Sequence, residues 1–487
     1  MRIALVAHGY PPELRGGTEN STQALARALA ARGQSVVVIA GSMDWQDGLR
    51  VSRATDRDPL RGAEFPVLRI HRSDAFFDHW QKAEHPGAGR LFDQLLAESF
   101  EGRGPDVVHV HHWIRLSNDL VQRAARLGIP SVVTLHDLWT SCLVVFRVRP
   151  KLRQFCEVPL APEPCLACAG DLPPRPVWQS QEEGARAVLA FRAAARRELE
   201  LAAALIAPSR AHGEALGRWL GLSVDELAAR LTVLAPAREP RPRASQAPRV
   251  PARVTPADPL VLASFGQWSE LKGTDLLIEA LGATRDPARF RLLLAGSAPS
   301  PDFAARVAAL AATSPAAVEL LGDYDRDHVA SHPVAAGALY LSGSRAHESF
   351  GLVLDEALEL GQGVVVPNLG ALGERAARVD WAVAYESGSA ADLARLLDEL
   401  ADDPARVVAL GAAARAALDA EPRVARAATL DEHVARTLAL YTAAVSAGPP
   451  AAERVVVDLA AEEARLRAID AWDAALGASD PHELGLA

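Results

Sequence analysis

The sequence predicts an α/β protein of two domains, each built on a parallel sheet with helices on both faces. Short apolar runs, such as residues 2–8, 35–40 and 260–266, alternate with amphipathic helical stretches over most of the chain, and parallel neighbours in a sheet need such helical crossovers. The alternation stops between residues 235 and 258, where Pro and Arg crowd together without periodicity and read as a linker. A length of 487 residues with 49% hydrophobic residues is enough to fill two sizeable cores.

Composition excludes some functions. A net charge of -10 argues against a general nucleic-acid binder, because phosphate contacts need a basic surface. No run approaches the ~18 apolar residues of a membrane span, and Met1-Arg-Ile-Ala-Leu-Val enters a strand at once, without a signal-peptide core. The expectation is a cytoplasmic protein. Only Lys82, Lys151 and Lys272 are lysines among 51 basic residues, so each ammonium calls for a reason.

In the first half, the strand at 2–8 leads through Gly9-Tyr-Pro-Pro to Gly16-Gly17-Thr-Glu19 and an amphipathic helix ending near Arg32. Strand, glycine turn and helix form a phosphate-binding arrangement, although a Gly-Gly turn also serves simply to reverse the chain. Further strands are expected at 35–40, 67–70, 106–111 and 131–135, with helices at about 88–101 and 116–127. Ligands gather at the carboxyl ends of such strands. His109, His111 and His112 lie at one end and His136-Asp137 at another.

Cys142, Cys156, Cys165 and Cys168 are the full cysteine complement and close with Cys-x2-Cys. In a reducing compartment four thiolates fit a structural zinc site; unconnected thiols or a Cys-x2-Cys redox pair are the alternatives. Between them Arg147-Val-Arg-Pro-Lys-Leu-Arg153 would, if extended, point Arg147, Arg149, Lys151 and Arg153 to one side. That row is either a solvated loop or a contact for an anionic, lipid-linked acceptor at a membrane surface. A long helix at about 183–204 and strands at 205–209 and 231–234 complete this half.

The second half opens with the strand at 260–266, then Gln267-Trp-Ser-Glu-Leu-Lys272-Gly273 and a helix. An ammonium at that loop suits a diphosphate leaving group. Strands are expected at 290–295, 318–321, 338–342 and 363–367, and helices at about 389–402, 404–418 and 424–445. Asp56-x-Asp58 and Asp323-x-Asp325 resemble metal-binding triplets but occur commonly by chance. Between the strands at 338–342 and 363–367 runs Arg345-Ala-His-Glu-Ser-Phe-Gly-Leu-Val-Leu-Asp-Glu356. A helix capped by Ser349 would leave the amides of Phe350, Gly351 and Leu352 free for an anion, with Glu348 and Glu356 on either side for sugar hydroxyls.

Glu348-x7-Glu356 with Ser-Phe-Gly between, followed by Gly-Val-Val-Val-Pro, resembles the donor-site signature of retaining glycosyltransferases of family 4, which have the GT-B fold. The Tyr-Pro-Pro…Gly-Gly-x-Glu loop, the Thr-Leu-His-Asp strand end and the Lys272-Gly273 motif are similar to that family's as well. Gln267 departs from it, standing where arginine is usual, and Arg345 is a candidate to supply the missing cation. The resemblance, which covers roughly residues 1–440, implies two Rossmann-like domains with parallel sheets facing across a cleft: an acceptor domain at 1–234 and a nucleotide-sugar domain at 259–450, joined by the linker 235–258; the cysteine insertion 142–168 and an acidic helical tail at 451–487 lie outside its core.

It further implies transfer of a sugar from a nucleotide diphosphate sugar to the hydroxyl of a glycan or lipid-linked saccharide, with retained configuration and no catalytic metal. Lys272 and the amides near Phe350 would carry the diphosphate charge, together with Gly16, Gly17, Gln267, Ser349, Gly351 and Leu352. Glu348 would hold the transferred sugar, His136 the sugar and the acceptor, Glu356 the ribose, and 322–325 the base. Such an enzyme would be cytoplasmic or peripheral at the inner membrane surface. The alternatives are a related epimerase or phosphorylase, or a non-catalytic sugar-nucleotide-binding partner.

Overall fold

The structure, a computed structural model, describes residues 1–44, 48–73, 82–149, 153–170, 180–222, 229–238, 241–420, 425–450, 460–461 and 464. It divides into unit 1, made of Met1–Leu152, Cys156–Ala237 and Ala428–Ala487, and unit 2, made of Arg153–Phe155 and Arg238–Ala427.

Unit 1 holds an eight-stranded sheet of β1 (Arg2–Ala7), β2 (Ser35–Gly41), β3 (Arg50–Arg57), β4 (Glu64–His71), β5 (Val107–Val110), β6 (Ser131–Thr134), β7 (Ala204–Ala207) and β8 (Leu231–Val233). The order is β3-β4-β2-β1-β5-β6-β7-β8, parallel except for β3, which runs antiparallel to β4 at the edge. Its helices are α1 (Gly17–Ala31), α2 (Pro86–Gly102), α3 (Leu120–Arg126), α4 (Pro162–Gly170), α5 (Gln181–Leu201) and α6 (Arg210–Leu220). The sequence did not predict β3, whose Arg-Val-Ser-Arg-Ala-Thr-Asp-Arg is exposed or half-buried throughout. An edge strand with polar residues on both faces carries no apolar alternation to read.

Unit 2 holds a six-stranded parallel sheet of β9 (Leu260–Phe265), β10 (Phe290–Ala295), β11 (Ala317–Gly322), β12 (Leu339–Leu341), β13 (Gly363–Pro367) and β14 (Ala382–Tyr385), in the order β11-β10-β9-β12-β13-β14. Around it are α7 (Thr274–Gly282), α8 (Pro301–Thr313), α9 (Val353–Glu359), α10 (Gly370–Ala376), α11 (Ala390–Asp402) and α12 (Pro404–Asp419). Both faces are buried: Leu260 and Leu262 of β9 enter one core cluster while Ala263 and Phe265 enter the other. Strands covered on both sides read as unbroken apolar runs, which is why β9, β10, β12 and β13 were legible, whereas β14, with Val383 part-buried and Ala384 exposed, was not predicted.

Two boundaries differ from expectation. The last helix, α13 (Leu430–Ala447), belongs to unit 1 and not to the second domain. Val434, Tyr441 and Ala444 pack in one core with Ile3, Leu5 and Leu25; an amphipathic helix buries its apolar stripe, but the stripe does not say against which sheet. The expected linker is also part of unit 2 from Arg238 onward, where Arg238 donates to the carbonyl of Leu352 and pairs with Glu359. The acidic tail lies almost wholly outside the described residues. Among those described, no helix is long and apolar enough to cross a membrane.

One close backbone contact positions the loops of unit 2. Gly273 adopts φ 63°, and a Cβ there would sit 1.8 Å from the Gly343 carbonyl oxygen, while one on Gly343 would sit 2.3 Å from that of Gly273. Only two glycines let these loops touch. Gly273→Ala should therefore cost at least ~2 kcal/mol, whereas Gly282→Ala, in ordinary contact with Pro315 inside α7, should be neutral or stabilise by about 0.5–1 kcal/mol. Thermal denaturation checks this; equal melting temperatures for the two variants would contradict it.

Candidate active-site residues

In unit 2 the Gly273–Gly343 contact brings Lys272 to Glu348. The ammonium Nζ lies 2.6 Å from Glu348 Oε1, which also accepts from Ser344 Oγ at 2.9 Å. Burial alone would raise the Glu348 pKa, but the Lys272 charge beside it overcomes that and holds it below the usual value. Lys272 remains half exposed while the Glu348 side chain is 19% exposed, so the cation is free to meet a ligand.

The helix after Glu348 starts later than expected. α9 begins at Val353 with Leu352 as its N-cap, and Ser349 caps nothing. The seven-residue helix contributes little dipole, yet the amides of Phe350, Gly351, Leu352 and Val353 make no backbone hydrogen bond among the described residues. Arg375 explains their orientation: it donates to the carbonyls of Phe350 at 3.3 Å and Gly351 at 2.8 Å, stacks on the Phe350 ring, and is anchored by buried Asp355 at 2.8 Å. With both carbonyls taken on one side, the amides are left unbonded. Gly351 has φ 79°, which glycine alone adopts freely.

One expectation for a cation changes. Arg345 does not replace the missing arginine: it is buried, donating to the Glu270 carbonyl at 2.9 Å and to fully buried Asp275 at 2.7 Å. Glu356 is also occupied on one oxygen, with Arg238 at 3.2 Å, Arg241 at 3.0 Å and Arg326 at 2.8 Å from Oε1. The sequence reading missed these arginines because two of them sat in what looked like a linker. Gln267 is exposed.

In unit 1 the strand-end histidines form a cluster in which His109, His111 and His112 are buried and His136 is partly exposed. His111 Nδ1 meets His136 Nε2 at 2.8 Å, and His109 bridges Tyr441 Oη at 2.6 Å and Thr134 Oγ1 at 2.7 Å. His112 accepts from the amides of Trp113 and Ile114 and lies 3.2 Å from Asp137. Burial lowers every one of these imidazoles: His112 to about 4, His136 to about 3, and His109 and His111 well below 6.5. Burial would raise the Asp137 pKa, but His112, the Trp139 amide and His8 together hold it below the usual carboxylate value.

His8 and Glu19 join the cluster without having been singled out. His8 Nε2 pairs with the buried Glu19 carboxylate at 2.8 Å. That carboxylate explains half of the Gly-Gly turn: a Cβ on Gly16 would meet Glu19 Oε2 at 2.6 Å, while Gly17 faces open space. Asp56 is engaged by Tyr10, Gln23 and Arg27, and Asp325 by His328.

The cysteine insertion corrects one expectation. Its cations form no extended row: Arg147 has φ 53° and is buried over the Trp219 ring, with its guanidinium on the carbonyls of Cys156 at 2.9 Å and Ser141 at 2.6 Å. Arg153, at φ 52°, pairs with Glu270 at 3.1 Å, and Lys151 lies outside the described residues. The four cysteines are free and half-buried. Burial, reinforced by neighbouring thiols, pushes Cys165 up to about 12. Among the described residues no group of three or more Cys, His, Asp or Glu side chains is placed to hold a metal ion.

The neutral histidines tie stability to pH. Unfolded imidazoles titrate near 6.5, above their folded values, so the unfolded chain binds more protons as the pH falls below that. The cluster's contribution is complete above pH 6.5 and should be lost between there and about 4, where folded His112 titrates, at roughly 1.4 kcal/mol per pH unit for each such histidine. Melting temperature against pH tests this; a flat profile across that window would contradict it.

Comparison with known proteins bears on the family and the fold. Residues 15–228 match the family described as Glycosyltransferase Family 4, and residues 250–417 match Glycosyl transferases group 1. No curated protein sequence matches the chain significantly. Among solved structures, sucrose-phosphate synthase from Thermosynechococcus elongatus is similar at 20% identity and TM-score 0.61, covering 92% of this chain and 99% of its own. HepE from Anabaena, solved with UDP, is similar at 17% identity and TM-score 0.57, covering 90% of this chain and all of its own. A protein from E. coli solved with UDP-2-fluoro glucose has 11% identity and TM-score 0.55, covering 92% of this chain and 100% of its own. With two parallel-sheet α/β units matching those two glycosyltransferase domains in succession, the chain is a glycosyltransferase of the GT-B fold.

Proposed function

We propose that this enzyme moves a sugar from a nucleotide diphosphate sugar to an acceptor hydroxyl, with retention of anomeric configuration. The observation that carries the reading is the pairing of Lys272 with Glu348, in the same loop system as the unbonded amides of Phe350 to Val353. Breaking a glycosyl–phosphate bond leaves charge on the diphosphate, and fixed donors aimed at that charge are the largest catalytic contribution such a site can make. Lys272 Nζ and the backbone amides supply those donors.

Glu348, kept ionised by Lys272, accepts hydrogen bonds from hydroxyls of the transferred sugar when the ammonium turns to the diphosphate. Glu356 Oε2 makes no hydrogen bond among the described residues, in contrast to Oε1, and is the atom left for a ribose hydroxyl. His136 contacts the sugar as a neutral imidazole. Support for the donor class comes from the similar HepE, which is also solved with UDP-glucose. An acceptor such as a glycan or lipid-linked saccharide fits the reading, as does a place at the inner membrane surface.

Transfer assays over a panel of nucleotide sugars test it. Lys272→Met should lower kcat about 10²–10³-fold on the best donor while changing KM far less, and proton NMR of the product should show the donor's anomeric configuration. A loss under about threefold, or an inverted product, would contradict the proposal.

A further inference from the structure

His111 lies in unit 1 behind His136 and has no role in the reaction as described so far. It is 3% exposed, its ring stacks 5.1 Å from that of His136 and lies 4.1 Å from that of His109. Two features single it out. Its Nδ1 is 2.8 Å from His136 Nε2, and its Nε2 is buried with no hydrogen-bond partner among the described residues. Hydroxyls satisfy both nitrogens of the neighbouring His109, whereas among the described residues of the cluster a buried ring nitrogen stays unpartnered in His111 and, at Nδ1, in His8.

Burial and the adjacent imidazoles keep both rings neutral. Each neutral ring carries one proton, and exactly one proton must lie between Nδ1 of His111 and Nε2 of His136. There are two ways to place it. If His136 donates through Nε2, the proton of His111 moves to its own Nε2 and becomes a buried N–H with nothing to accept it. If His111 donates through Nδ1, its Nε2 is left as a bare lone pair. An orphaned buried N–H is rarer and costlier than an under-used acceptor, so the second arrangement prevails.

We propose that His111 is a positioning residue that fixes His136 with its proton on Nδ1, so that His136 presents a hydrogen-bond donor and not a base. His136 Nδ1 makes no hydrogen bond among the described residues and His136 is only partly buried, which leaves that N–H for an oxygen of a bound saccharide. The ligand group it takes is a hydroxyl or ring oxygen accepting a hydrogen bond. Activation of the acceptor hydroxyl then falls to another group. This inference rests on the reading of His136 as a sugar-contacting residue.

The test compares His111→Asn with His111→Asp in the full chain. Asparagine carries a donor where Nδ1 stood; aspartate only accepts, and forces the proton of His136 onto Nε2. Nitrogen-15 NMR of histidine-labelled protein, without ligand, should show His136 protonated at Nδ1 in the wild type and in His111→Asn, and at Nε2 or at both nitrogens in His111→Asp. Turnover of UDP-glucose should fall at least about tenfold in kcat for His111→Asp at similar KM, with His111→Asn retaining most of it. Equal losses in both variants, or a wild-type His136 protonated at Nε2, would overturn the inference. His136→Ala separates it from the broader reading: unchanged turnover there refutes the sugar contact, while the NMR comparison decides the tautomer by itself.

Discussion

The contact on which the proposed chemistry depends is the meeting of two glycines. Because Gly273 and Gly343 lack side chains, the turn ending α7's approach can lie against the loop after β12, and Lys272 reaches Glu348 across it. A single methyl group would push the loops apart and separate the two charges. The pair is more than a surface salt bridge of small energetic value, since Glu348 is largely buried and also tied to Ser344. Its role in the account is to hold a scarce ammonium in readiness, with the carboxylate as its partner until a diphosphate arrives.

A second layer of arginines supports the same region from behind. Arg375 holds the carbonyls of Phe350 and Gly351 and is held in turn by Asp355. Arg345 and Arg306 neutralise Asp275 at 2.7 Å and 3.0 Å, and Arg238, Arg241 and Arg326 share Glu356. Guanidinium groups fit this task because they bond several acceptors in a fixed plane, which an ammonium does not. The chain thus uses arginine for structure and leaves Lys272 half exposed. In unit 1 Lys82 is structural instead, donating to the carbonyls of Trp139 and Cys142 between two aromatic rings; burial lowers its pKa to about 7.

Much of this was legible in the sequence where local pattern and burial agree. Val364, Val365 and Val366 are all fully buried, so β13 reads as a strand without any need for alternation. The pairing of Lys272 with Glu348 was also within reach, because the rarity of lysine singled out one cation. What failed needed long-range information. Nothing local to Tyr441 shows that its hydroxyl meets His109 in the other half of the sequence, so α13 was placed in the wrong unit. Arg238 and Arg241 lie among prolines, where an arginine normally signals solvent, and Arg147 was expected on a cationic row but is buried on carbonyls. His8 and Glu19 are eleven residues apart and meet only because α1 folds back over the end of β1.

The most direct measurement is a crystal structure of the protein with UDP. The account predicts that diphosphate oxygens lie within about 3 Å of Lys272 Nζ and of at least one amide among Phe350, Gly351 and Leu352. A nucleotide whose diphosphate is bound elsewhere, with Lys272 still closed on Glu348, would contradict it.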